Sequence, residues 1–415
     1  MTGVSKGRGK GISAIQIIVL FGIISLFGDM LYEGARSANG QYLELLGVSA
    51  TMLGLVYGLG EFLGYFLRLV SGYLSDKTGK QWTFIIFGYA TLIVVPMMGL
   101  TSNWQIIMVL ILLERVGKGL RSPPKDTILS QVAENGGTGT GRAFGILEAL
   151  DQVGALSGPL IFSIAFYASG EQGITQYQTG YLFLSIAFAL LVAALYLAFR
   201  KYRDCDFKAE PSSAFAKNEP LMRHFWMFTL FASLTIMGLA NFSLIGYYLK
   251  AEGIMPDQQI VLLYALAMLV DAAVALLIGN LYDKLKEKTG SKTGGIMSLA
   301  FIPVVTLTIP FLGFGGTVIG AAVAMIMFGI VMGAHETIIR SSIADITSFH
   351  KRGTAYGVFY TAYGLAFLAG SAAMGSIYDN FGVSHIATMV IVIELLAIAV
   401  FIWMVSDMKR SAATA

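Results

Sequence analysis

The chain has 415 residues, 56% hydrophobic and only 13% charged, with 28 Lys and Arg against 25 Asp and Glu and a mean hydropathy of +0.71. Soluble domains carry about 25% charged residues, so most of this surface does not face water, and a soluble enzyme or nucleic-acid-binding module is excluded. One cysteine, Cys205, and four scattered histidines (His224, His335, His350, His385) give no disulfide framework, no metal site and no sign of another cofactor.

Residues 1–11 are basic and glycine-rich, with Lys6, Arg8 and Lys10. They read as a cytoplasmic N-terminus ahead of a retained first span, not as a cleaved signal peptide. A helix that crosses the hydrocarbon core needs roughly 20 apolar residues. Twelve such stretches follow, centred near Ile23, Leu63, Ala90, Leu110, Leu156, Ala187, Leu234, Leu269, Val305, Met325, Leu365 and Ile393. They are too long and continuous for the roughly 10-residue alternating strands of an outer-membrane barrel. The expected fold is therefore an all-α membrane protein. Residues 12–200 form one six-helix bundle and 223–406 a second. The charged stretch 201–222, with Pro211 and Pro220, reads as a cytoplasmic linker, and 407–415, with Lys409 and Arg410, as a cytoplasmic tail.

Basic residues fall in alternate loops, around Lys77 and Lys80, Lys125 and Arg142, Arg200 to Arg223, Lys284 to Lys292, and Lys351 and Arg352, whereas the intervening loops hold only Lys250. Positive loops stay cytoplasmic. Both termini are then expected in the cytoplasm of a cell with the chain in its plasma (inner) membrane, which requires an even number of spans.

The two halves repeat. Gly72-Tyr-Leu-Ser-Asp76-Lys77 returns as Gly279-Asn-Leu-Tyr-Asp283-Lys284, Arg121-Ser-x-x-x-Asp126 as Arg340-Ser-x-x-x-Asp345, and Gly141-Arg-Ala-Phe-Gly145 as Gly353-Thr-Ala-Tyr-Gly357. Three matches in one order, displaced by nearly the same distance, indicate a six-plus-six duplication. Parallel repeats of this kind are related by an axis along the membrane normal, with a solute site between them near the midplane.

These residues carry a resemblance. Gly72-Tyr-Leu-Ser-Asp76-Lys77-Thr-Gly79-Lys80 resembles the signature between spans two and three of the major facilitator superfamily, and Arg115-Val-Gly-Lys-Gly119 its span-four pattern. Gly154-Ala-Leu-Ser-Gly158-Pro159 is similar to the span-five pattern associated with antiporters, without its downstream glycines. Asp29-Met-Leu-Tyr-Glu33, Glu61, Gly117-Lys-Gly-Leu-Arg121-Ser-Pro-Pro-Lys-Asp126 and Arg142-Ala-Phe-Gly resemble a prokaryotic group of drug-efflux-like permeases. The resemblance implies that spans one, four, seven and ten line the path while three, six, nine and twelve lie outside. It also implies a cytoplasmic gate of Gly72, Asp76, Lys77, Arg121, Asp126, Arg142 and Asp283, in which Asp76 faces a helix end or a cation such as Arg121 or Arg142. Gly154, Gly158 and Pro159 are helix-packing positions.

Charges at membrane depth are costly unless paired or wet, so each is a functional candidate. Span one holds Asp29, Glu33 and Arg36 on one helical face, span two Glu61 and Arg68, and span four Glu114, Arg115, Lys118 and Arg121. Span five holds Glu148 and Asp151, span eight Asp271, span ten His335, Glu336 and Arg340, and span twelve Glu394. Span seven offers Asn241 alone. Asp29, Glu33, Glu148 and Asp151 are the candidates for proton coupling. Arg36, Glu61, Glu114, Arg115, Lys118, Asn241, Asp271, His335, Glu336 and Arg340 are the candidates for the substrate cavity. The competing reading is a set of permanent salt bridges that fix helix packing. Glu394 is expected near the membrane surface or beside a partner. Tyr32, Tyr57, Tyr65, Tyr247, Tyr248, Tyr264, Tyr360 and Tyr363 serve either packing or substrate contact. Gly136-Gly-Thr-Gly-Thr-Gly141 lacks the strand and Lys of a phosphate loop and reads as a link.

The expected function is secondary transport, by a monomer in the lipid bilayer, of a small molecule exported against protons or another coupling ion. Uptake or facilitated diffusion of a polar or anionic metabolite stands as the alternative, and a non-transporting sensor as a remote one.

Overall fold

The computed structural model of the protein describes residues 14–135, 140–169, 173–203, 223–289, 292–347 and 352–414, which are helices and short connections. Six helices form the first half: α1 (Ala14–Leu45), α2 (Ala50–Thr78), α3 (Gln81–Leu100), α4 (Trp104–Asn135), α5 (Thr140–Ser169) and α6 (Ile174–Tyr202). Six form the second: α7 (Arg223–Ala251), α8 (Asp257–Thr289), α9 (Gly294–Gly313), α10 (Val318–Ile346), α11 (Arg352–Phe381) and α12 (Val383–Thr414). Most of the expected linker lies outside the described residues, and α12 stays helical past residue 406 to Thr414.

Eleven of these helices are long and apolar enough to cross a membrane. The remaining one is α4, whose central turns carry Glu114, Arg115, Lys118 and Arg121. It is sheathed by α2 and α3 and directs these charges inward. Helix ends follow local chemistry. Ser49 caps α2 by accepting from the Met52 amide at 3.3 Å, and Gly79, at φ +66°, closes its other end with its N–H on the Ser75 carbonyl at 2.9 Å. Asn103 accepts from the Gln105 and Ile106 amides and so starts α4. The helix α7 is interrupted. Its first segment ends at Gly238, and Asn241 caps the second, which starts at Phe242, by accepting from the Leu244 amide at 3.0 Å.

The duplication is visible in the packing. In the first half α1 packs on α5 and α6, and α4 on α2 and α3; in the second α7 packs on α11 and α12, and α10 on α8 and α9. The halves meet along α2 with α11 and α5 with α8, which are equivalent pairs under the repeat. Apolar side chains such as Phe87, Ile186, Leu190, Val304, Phe311, Leu395 and Ile402 on α3, α6, α9 and α12 are exposed and form the outer belt.

One end of the molecule is sealed. Asp379, near the end of α11, accepts from the Thr51 amide at 2.7 Å, the Thr51 hydroxyl at 2.6 Å and the Ala50 amide at 3.1 Å at the start of α2. At the same end Gly40 of α1 meets the Ser243 backbone of α7 so closely that a Cβ there would overlap it. The helix α1 arrives at this seal and α12 departs from it, so Ala14 and Thr414 lie together at the opposite, terminal end.

Candidate functional site

A cavity of about 240 Å³ lies between the halves. Its deep wall is at Arg36, towards the seal, and its lining continues to Ser25, Lys125 and Ile339 in the direction of the terminal end. Helix periodicity builds the N-terminal wall: Tyr32 and Glu33 each lie three or four residues from Asp29 and from Arg36, so all four share one face of α1.

The charges there form a chain. Arg36 lies 3.2 Å from Glu61 and 4.0 Å from Glu33; Glu61 also takes Arg115 at 2.7 Å, and Arg115 Nε lies 3.4 Å from Glu114. Arg115 is 3% exposed, so its charge depends on these partners. The Tyr32 ring gathers three cations, with Lys118 at 3.6 Å from its centroid, Arg115 at 4.4 Å and Arg36 at 5.8 Å. Such contacts strengthen where water is excluded. Nearer the terminal end Lys125 donates to Ser25 Oγ at 2.6 Å and lies 4.0 Å from Asp151. Asp29 lines this wall with no ion pair among the described residues.

The two walls differ in charge. Every cationic Lys or Arg among the described lining residues belongs to the first half: Arg36, Arg68, Arg115, Lys118, Arg121 and Lys125. The second half supplies Asp271, His335 and Glu336 with the rings of Tyr264, Tyr360, Tyr363 and Phe367. His335 is held by two neighbours, Tyr363 Oη at 2.8 Å from Nδ1 and Thr235 Oγ1 at 3.2 Å from Nε2. The Tyr264 hydroxyl donates to Glu33 at 2.6 Å and so ties the two walls together.

Most of the charges singled out from sequence therefore share this space: Asp29, Glu33, Arg36, Glu61, Arg115, Lys118, Glu148, Asp151, Asp271, His335 and Glu336. Arg121 and Asp126, expected at the gate, also line it, and Arg121 stacks 4.9 Å from the Tyr89 centroid. Glu114 sits behind Arg115. Asn241 is spent on the break in α7, where its side chain also donates to Ser371 at 3.2 Å. The side chain of Arg340 lies outside the described residues. Gly72, Asp76 and Lys77 are at the terminal end of α2, where Gly72 faces Pro123 of α4 and Asp76 Oδ1 is buried with no partner among the described residues. Arg142 is exposed at the start of α5, and Asp283 is exposed near the end of α8. Gly154 and Gly158 press on the backbone of α1 at Leu26, Met30 and Gly34, next to Pro159. Glu394, by contrast, is buried outside this lining, and neither of its oxygens has a hydrogen-bond partner among the described residues.

Sequence reasoning did not single out Ser25, Tyr89, Gln152 or Thr235. For Ser25 and Gln152 the signal exists, since each lies four residues from a cavity carboxylate, Asp29 and Glu148. For Tyr89 and Thr235 nothing in the sequence distinguishes them from packing residues.

Comparisons with known proteins agree with this fold. The model of the Major Facilitator Superfamily matches residues 12–366. An uncharacterized protein of Mycobacterium tuberculosis (strain ATCC 25618 / H37Rv) is 33% identical over 398 residues, covering 93% of this chain and 92% of the relative. An uncharacterized MFS-type transporter of Methanocaldococcus jannaschii is 28% identical, covering 87% and 88%. Among solved structures, a mutant of the nucleoside transporter NupG superposes with a TM-score of 0.73 at 16% identity, covering 94% of this chain and 99% of that one. A bacterial homolog of the human lysosomal transporter Spinster, inward-facing and unoccupied, gives 0.72 at 14% identity over 97% and 99%. At these identities the structural likeness speaks to the fold alone.

Proposed function

Because the chain belongs to the Major Facilitator Superfamily and is a membrane transporter rather than an enzyme, we propose that it exports a small polar molecule in exchange for protons by alternating access. The single observation that carries the coupling is the Glu33–Tyr264 hydrogen bond, 2.6 Å long between α1 and α8. Its two ends belong to halves that must separate when the cavity opens to the other side. A carboxylate whose partner is removed in one state and restored in the other changes its hold on a proton over the cycle. Arg36, 4.0 Å away on the same helix, is the cation that competes with that proton.

Export is supported by the resemblance of the α1, α4 and α5 segments to drug-efflux-like permeases and by the glycine seam of α5 on α1. The basic loops at the terminal end support a reading in which both termini lie in the cytoplasm; in that reading the seal faces outward and the cavity opens to the cell interior. One chain encloses the whole cavity, and the working unit is the monomer.

Purified protein in acid-loaded proteoliposomes tests this. Addition of a transported solute is expected to alkalinise the lumen. Glu33→Gln and Tyr264→Phe should weaken proton-driven exchange about tenfold or more, the scale of a charge-assisted hydrogen bond worth about 1.5–3 kcal/mol. Solute accumulation without proton movement would instead establish uptake or facilitated diffusion, for which the six cations of the N-terminal wall are a ready anion site.

A further inference from the structure

Glu394 has 0% exposure, and neither of its carboxylate oxygens has a hydrogen-bond partner among the described residues. Counted from Val383 at 1.5 Å per residue, it lies about 17 Å along α12, near the middle of the span. The carboxylate abuts Gly238, where a Cβ would overlap Oε1. Gly238 is the last residue of the first segment of α7, and Leu239, Ala240 and Asn241 are unwound before the second begins. The final carbonyls of a helix lack intrahelical donors and carry the negative end of its dipole. A bare carboxylate at this point is disfavoured twice, by burial and by the field of the segment it touches.

Among the described residues no hydrogen bond or ion pair offsets that. The helices packed on α12 are α7, α9 and α11. Gly294–Gly313 of α9 contains no ionisable side chain. On α7, Arg223 and His224 pair with Asp407 at the terminal end, and Lys250 pairs with Asp257 at the sealed end. On α11, Tyr363 is engaged with His335, Tyr356 stacks on Tyr360, Tyr378 packs on Tyr247, and Asp379 caps α2. His385 lies a few residues into α12, beside Ser384 at the sealed end. The charge that would offset a carboxylate here is positive.

We propose that Glu394 and the carbonyls that end the first segment of α7 form a binding site for a small monovalent cation, a proton or Na⁺, outside the substrate cavity. Half-helix ends are suited to such ions. The position matters because α7 reaches both working parts of the molecule. Ile236 lines the cavity, Thr235 meets His335 at 3.2 Å, and Ser243 closes on Gly40 at the seal. An ion at the break therefore bears on the element that joins them, independently of Glu33.

Two measurements on detergent-purified full-length protein separate the occupants. If the occupant is a proton, infrared spectra contain a protonated-carboxyl carbonyl band that Glu394→Gln removes and Glu33→Gln leaves in place. If it is Na⁺, replacing choline by Na⁺ at equal ionic strength raises the melting temperature of the parent protein, and Glu394→Gln abolishes that response. Should Glu394→Gln fail to fold, Gly238→Ala presses on the same carboxylate and is expected to alter the same band or the same Na⁺ response. A parent protein with no Na⁺ response, together with an unchanged carboxyl band in the variant that folds, overturns the proposal. Because neither readout uses transport, its failure is distinct from loss of proton coupling at Glu33.

Discussion

Glu61 illustrates what a buried charge requires of its neighbours. It accepts Arg36 at 3.2 Å and Arg115 at 2.7 Å, and Arg115 is 3% exposed. Removing one member of a buried ionic set leaves another uncompensated, at a cost of about 3–5 kcal/mol. Arg115→Met is therefore expected to lower the melting temperature of the purified protein strongly, whereas Glu61→Gln combined with Arg115→Met loses less than the two single changes together. Additive losses would show that the pair is not coupled. The residues of this set were legible in the sequence because charges spaced by three and four share a helical face. Which carboxylate meets which cation was not. The Tyr264–Glu33 bond spans 231 residues, and local periodicity carries no information across that distance. Glu394 was visible as an oddity, but burial without a partner is a property of three dimensions.

At the scale of the helix, α4 and α7 show opposite relations between composition and structure. The stretch around Leu110 reads as an apolar span in the sequence, yet α4 is too charged to count among the eleven apolar helices; its polar face looks into the cavity and its flanks are covered by α2 and α3. The helix α7 reads as a continuous apolar span, yet it is broken at Leu239–Asn241, where Asn241 substitutes its side chain for the missing helical acceptor. No proline marks that break, so hydropathy is blind to it. The glycines of α5 were easier to read. A Cβ on Gly158 would overlap the Met30 carbonyl and the Gly34 amide of α1, and backbone atoms in a packed helix cannot swing aside as a side chain can. Gly158→Ala is expected to cost about 1–3 kcal/mol through overpacking and to reduce transport. Gly145→Ala on the same helix, where a Cβ meets nothing within 4 Å, should do neither. Thermal scanning of the two variants beside the parent makes the comparison.

At the scale of the molecule, the two halves use equivalent helices at their interface, and the proposed alternating access would exchange the open end with the closed one by a rigid rotation about it. The duplication was legible from three short motifs because each marks the same turn in both halves; the state in which the halves rest was not, since sequence fixes both states equally. In this state the seal rests on Asp379 holding the start of α2 and on the close approach of Gly40 to Ser243. Alternating access requires those contacts to open once per cycle. A covalent tie across Thr51 and Asp379 must then stop the cycle without disturbing the cavity. Thr51→Cys with Asp379→Cys, in a chain whose only native cysteine, Cys205, is replaced by Ser, is expected to lose transport on oxidation and regain it on reduction. A third cysteine at Ser122, which lines the cavity, reports on the other end: it should react with a membrane-impermeant thiol reagent added from the terminal side at the same rate before and after cross-linking. Each single-cysteine variant under oxidation controls for direct damage. Transport that continues through the cross-linked protein would mean that the sealed end does not open, and the rocking mechanism would fall with it.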